Sequence, residues 1–124
     1  MTTDRELLEL AAKAAGATWI DDNWPEDLPG LMLDFGKGTT QWNPLDDDGD
    51  ALRLAVKLEM EIYHAFDDVM NVYASYPVEE GQIQGIQYVV EPHNKDPFAT
   101  TRDPLAATRR AIVRAAAEIG RNMI

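Results

Sequence analysis

The chain has 124 residues, 45% of them apolar and none of them cysteine; this fits one folded domain over 1–124 and excludes disulfides and thiolate metal sites. Eleven Lys and Arg stand against 22 Asp and Glu, and the net charge of −11 removes the counterion-release energy that drives general nucleic-acid binding. The same charge opposes an anionic membrane surface, and no apolar run approaches the length that spans a bilayer.

The opening MTTDRELLEL lacks the basic stretch and long apolar core of a signal peptide, so the expected compartment is the cytoplasm. A first helix starts at Thr3 or Asp4, either of which can cap it, with Glu6 in the first turn. Leu7, Leu10, Ala11 and Ala14 form its apolar stripe and Gly16 is a natural stop. Short strands are predicted at 18–20, 31–35 and 39–42. The acidic, proline-bearing DDNWPEDLPG between the first two reads as an exposed loop, and GKG at 36–38 suits a hairpin between the second and third.

A second helix begins among Asp46, Asp47, Asp48 and Asp50, with Gly49 leaving the first residue open. Its buried stripe is Ala51, Leu54, Ala55 and Leu58. Residues 61–66, 69–76 and 82–90 are rich in Ile, Val, Tyr and Phe and read as strands, with turns at 67–68 and 79–81. PHNKDPFATTRDP is a loop by composition, and a third helix starts at Pro104 with Asp103 as its cap. The order α-β-β-β-α-β-β-β-α implies an α+β fold: one mainly antiparallel sheet with helices on both faces, an α/β/α sandwich.

Catalytic signals are weak. The run DDDGD at 46–50 fails the spacing of a calcium loop: counting from Asp46, the sixth residue is Ala51 and the twelfth is Lys57, where glycine and glutamate are needed. His64 and His93 fall in a strand and a loop, and nothing in their spacing makes them converge. Ser75 has no nucleophile-elbow context, and no phosphate-cradling glycine loop is present. No cofactor or metal is expected. A small hydrolase using carboxylates with His64 or His93 stands as the alternative function, and a structural or assembly protein, dimerising through a sheet edge, as another.

Two features are more informative. In the third helix Leu105, Ile112, Ala116, Ile119 and Met123 fall within a band of about 60°, with Arg110, Arg114 and Arg121 opposite as a solvated face. Arg109 projects only about 40° from the centre of the apolar band. It is either a snorkelling or ion-paired arginine or one that holds an anionic or planar ligand. The second feature is QWNPLDDDGD, where Trp42, Asn43 and Pro44 crowd a strand-to-helix junction: core and turn residues on one reading, a binding loop on the other.

TDRELLELAAKAAG, WNPLDDDGDALRLAVKL and ATRRAIVRAAAEIGRNM resemble the phage ABA sandwich domain family of small phage and prophage proteins and, more loosely, the phage NinX-type proteins. The matching segments keep their order and spacing. The resemblance implies an α/β/α sandwich, phage origin and action in the bacterial host cytoplasm, with no established catalytic activity. Its recurring pattern falls on Trp42, Asn43, Pro44, Asp50, Ala51, Leu54, Arg109, Arg110 and Ala111; residues 63–102 and DDNWPEDLPG lie outside it. The expected function is a non-enzymatic phage accessory protein that binds a host component in counter-defence. It either sequesters a small nucleotide-like signal through Trp42, Asn43, Pro44, Asp50, Arg109 and Arg110, or uses its acidic surface to block a host defence protein.

Overall fold

The computed structural model describes residues 3–65, 71–80, 83–92 and 103–123. Within them the chain runs α1 (Asp4–Ala14), β1 (Trp19–Ile20), β2 (Leu31–Asp34), β3 (Thr39–Trp42), α2 (Asp48–Lys57), β4 (Glu61–His64), β5 (Asn71–Glu80), β6 (Ile83–Pro92) and α3 (Pro104–Arg121), in the order the sequence predicts. His93 and the predicted turn at 67–68 lie outside the described residues.

Helix starts follow side-chain capping. Thr3 Oγ1 accepts from the Glu6 N–H, Asp47 from the Asp50 N–H, and Asp103 from the Ala106 N–H. Each satisfies one of the backbone donors that a first turn leaves without an internal partner. The α2 start that Gly49 left open thus lies at Asp48. At the other end of α2, the Met60 N–H donates to Ala55 O and the Glu59 N–H to Val56 O, closing the helix with Glu59 at φ 57°. Because Cβ crowding disfavours this left-handed conformation, Glu59→Gly is expected to stabilise the fold by about 0.5–1 kcal/mol. A higher urea midpoint at unchanged slope checks it.

The strands form two antiparallel three-stranded sheets, β1-β2-β3 and β4-β5-β6, rather than the single sheet expected. Helix α3 contributes to two cores. Its Ala107, Ala111 and Ala115 pack on Val72, Ala74 and Tyr76 of β5, while its Ile112, Val113, Ala116 and Ala117 join a second core with α1, α2 and the first sheet. Leu7, Leu8, Ala11 and Ala12 of α1, Leu31 and Leu33 of β2, and Leu54 of α2 fill that second core. Alanines at i, i+4 and i+8 let the second sheet lie close against this helix, and Met60 and Ile62 pack against both cores. Burial, and after it the Glu118 carboxylate, push the Tyr76 phenol above its ordinary range, so it stays protonated against α3.

The predicted apolar band of α3 holds at its centre but not at its ends, since Leu105 is 62% exposed and Met123 42%. Nor are all the opposing arginines a solvated face. Glu91 of β6, only 4% exposed, accepts from Arg114 Nη1 at 2.5 Å and lies 3.8 Å from Arg110 Nε. Arg110 also reaches Asp4 at 3.1 Å, so one buried carboxylate and two arginines tie β6, α3 and the start of α1 together. A buried carboxylate needs such partners because ionised groups lose several kcal/mol of hydration on burial. Arg121 is exposed, as expected.

Candidate functional site: the junction of β3 and α2

Residues 42–50 form a self-bonded turn. Asn43 O accepts from the N–H groups of Asp46 (3.1 Å) and Asp47 (2.8 Å), bending the chain from β3 into α2. The Asn43 N–H donates to Asp50 Oδ2 at 3.0 Å, while the Asp50 N–H donates to Asp47 Oδ2 at 2.8 Å. The first turn of α2 is therefore tied to the end of β3 as well as capped. Trp42 is buried and meets Phe35 edge-on, with centroids 5.9 Å apart, and Pro44 is fully buried beside it. Three acids of the DDDGD run serve the fold in different ways. Asp47 caps α2, Asp50 binds Asn43 and Arg53, and Asp48 binds Arg109.

Arg109 enters this junction from α3. Its Nε donates to Leu45 O at 2.9 Å and its Nη1 to Asp48 Oδ1 at 2.6 Å, and the side chain is 15% exposed. It acts as a strut between α3 and the turn, with two guanidinium edges already occupied. Removing a charged donor from a carbonyl and a carboxylate costs about 1–3 kcal/mol, and Asp48, being exposed, recovers part of that from water. Arg109→Met keeps the apolar stem and is expected to cost about 1–2 kcal/mol, read as a lower urea midpoint. Unchanged stability with lost ligand affinity would instead make Arg109 a ligand-binding arm.

Of the six residues singled out from sequence, Trp42, Asn43, Pro44 and Asp50 share the turn and Arg109 joins it. Arg110 does not: its partners are Asp4 and Glu91. Asn43 lines a cavity of about 230 Å³ together with Gly30 and Leu45, on the side where α1 begins. Its Oδ1 is buried with no hydrogen-bond partner, as is the Trp24 Nε1, close in sequence to that cavity's Glu26 and Leu28. His64 of the alternative hydrolytic reading is held against α3. The Thr108 hydroxyl donates to Pro104 O, so its oxygen accepts from the His64 Nε2–H at 2.7 Å.

On the other side of Trp42 lies a larger open cleft, about 450 Å³, between the β2–β3 hairpin and α2. Phe35, Trp42 and Leu54 form its apolar wall, and Lys37, Arg53 and Lys57 stand around it. Lys37 is held at the hairpin tip because the Asp34 carboxylate accepts from the N–H groups of Gly36, Lys37 and Gly38. Arg53 and Lys57 are one turn apart on α2. Arg53 is compensated by Asp50 at 2.7 Å and Asp47 at 3.8 Å. The lysines differ. Among the described residues every arginine is ion-paired, whereas Lys37 and Lys57 have no carboxylate partner.

The chain matches no family model, no curated protein and no solved structure. The chemistry of the cleft must therefore be read from its own residues. An aromatic and aliphatic wall, with Lys37 and Lys57 among the lining residues, suits a small ligand that is flat and apolar in one part and anionic in another.

Proposed function

We propose that the protein is a non-enzymatic phage accessory protein that sequesters a small nucleotide-like signal of the bacterial host and so blunts a defence response. The observation that supports this reading is the convergence of Lys37 and Lys57 on one cleft walled by Phe35 and Trp42. The chain has twice as many acids as bases, and among the described residues the side chains of Lys37 and Lys57 have no ion-pair partner, so the cleft they line offers cations to an anionic group. The same negative field repels polymeric nucleic acid, which favours a small ligand over a strand. The phage origin and the host cytoplasm rest on the resemblance of the three segments that include this junction.

The charge of −11 favours a second reading, in which the acidic surface blocks a basic groove on a host protein complex. One experiment separates the two. The protein is purified from defence-activated cells and measured intact by native mass spectrometry, then heated and its supernatant analysed. A small molecule released on heating, and lost from a Lys37→Glu/Lys57→Glu variant that keeps its thermal midpoint, is the expected outcome. Co-purification of a basic host protein with no released small molecule would sink the sequestration reading.

A further inference from the structure

We propose that two copies of the chain join through the edge of β6, antiparallel about a two-fold axis near the middle of the strand, so that β4-β5-β6 becomes half of one continuous sheet. The strand order leaves β6 on an edge. Its ten residues, Ile83–Pro92, all pair with β5, and among the described residues no strand pairs with its other side. An edge of this length is a row of backbone donors and acceptors ready for another strand, and folded proteins blunt such rows by shortness or charge. The other edges are short: β1 has two residues, and β3 and β4 have four each. β6 is blunted only near its end, where Pro92 lacks an N–H and Arg114 Nη1 donates to Val90 O. Its residues 83–90 include no charge.

The hairpin of β5 and β6 also reaches past its support. Among the described residues β4 pairs with β5 only over 72–75, and the buried residues of β5 on α3 end at Tyr76. Beyond them 77–80 and 83–86 form a two-stranded ribbon, which is marginal in water without a third strand. A second β6 supplies one. Charge selects a second copy as the occupant. Two chains of net −11 repel, so contact between them costs least where each is locally neutral. The two longest uncharged runs in the sequence are 69–78 and 81–90, ten residues each, and they hold most of β5 and β6. The one acid of β6, Glu91, is buried and bound by Arg114. A basic peptide, drawn to the acidic remainder of the chain, would gain nothing from this neutral edge. Antiparallel pairing of a strand with its own copy is isologous and closes at two, leaving only the short β4 at each end of the joined sheet.

The test is the mass of the full chain in solution, by sedimentation velocity and native mass spectrometry over a dilution series. A dimer that dissociates on dilution is expected. Ile86→Lys/Gln87→Lys puts one lysine on each face of the strand, because neighbouring strand residues point to opposite sides. Near the axis these lysines meet their own copies, and association should weaken about tenfold or more. Added lysines lower the repulsion between whole chains of net −11, so a loss reports the edge itself. Thr39→Lys/Thr40→Lys, on the exposed edge strand β3, carries the same charges and should leave the dimer unchanged. A parent that is monomeric up to about 0.1 mM, a dimer that survives the β6 lysines, or one lost equally in the β3 variant overturns the inference. Far-ultraviolet circular dichroism checks that each variant is folded. Where the β6 variant does not fold, hydrogen exchange of the parent decides: amides of 83–90 gain protection as concentration rises, and exchange independent of concentration overturns the pairing. No outcome here depends on the cleft beside Trp42.

Discussion

Gly120→Ala is expected to destabilise the protein by about 3 kcal/mol, lowering the thermal midpoint by roughly 10 °C. A Cβ built on Gly120 would stand 2.0 Å from Leu10 O and 2.8 Å from Leu10 C. Both atoms belong to the main chain of α1, so no side-chain rotation relieves the clash and the two helices must move apart. Their contact is lined by small residues, Ala11, Ala12, Ala116 and Ala117, all buried, and separating them opens gaps that none can fill. Intrinsic propensity works the other way, since alanine is better than glycine inside a helix by about 1 kcal/mol. The clash is the larger effect, and the sign of the measured change decides between them. Equilibrium denaturation that shows Gly120→Ala equal to or more stable than the parent would mean that α1 and α3 are not in close backbone contact.

That contact was not legible in the sequence, and the reason extends to much of the fold. Local signals located the elements well. Thr3, Asp47 and Asp103 cap the helices they precede, and Ala51, Leu54 and Ala55 are the buried stripe of α2. A helical wheel, however, assigns one inside and one outside to each helix. It therefore treats the alanines of α3 as neutral and its arginines as solvated. Ala107, Ala111 and Ala115 instead make a second buried face, and Arg110 and Arg114 serve a carboxylate on β6 that no periodicity connects to them.

The candidate site divides along the same line. Trp42, Asn43, Pro44 and Asp50 are contiguous or nearly so, and their turn could be read directly. The oddness of Arg109 was also visible, because a cation at an apolar edge needs an acceptor, though the identity of the acceptors, Leu45 O and Asp48, was not. The cleft beyond Trp42 was missed. Lys37 belongs to a hairpin and Arg53 and Lys57 to α2, and only the fold brings them around one opening. A charge count by segment would have given a hint, since Arg53 and Lys57 are cations on an otherwise acidic stretch.

Gly30→Ala is the second substitution expected to act strongly, and it acts on the site as well as on stability. Gly30 has φ 75°, and a Cβ there would lie 2.3 Å from Trp42 O and 2.7 Å from Asn43 Cβ. The residue immediately precedes β2, whose first residue, Leu31, pairs with Trp42 at the end of β3. A methyl group at this point must push that end of the ladder open and carry Trp42 and Asn43 with it. The left-handed backbone adds about 1–2 kcal/mol for a residue bearing a Cβ, and the overpacking about 1–3 kcal/mol, so a total near 3 kcal/mol is expected. Because Trp42 lines the cleft, affinity for the proposed ligand should fall together with stability. The lysine variants provide the contrast: Lys37 and Lys57 are exposed and unpaired among the described residues, so their substitution should lower affinity at an unchanged denaturation midpoint. If Gly30→Ala lowered the midpoint yet left affinity intact at a temperature where the variant remains folded, Trp42 would be a core residue with no part in the wall of the binding site.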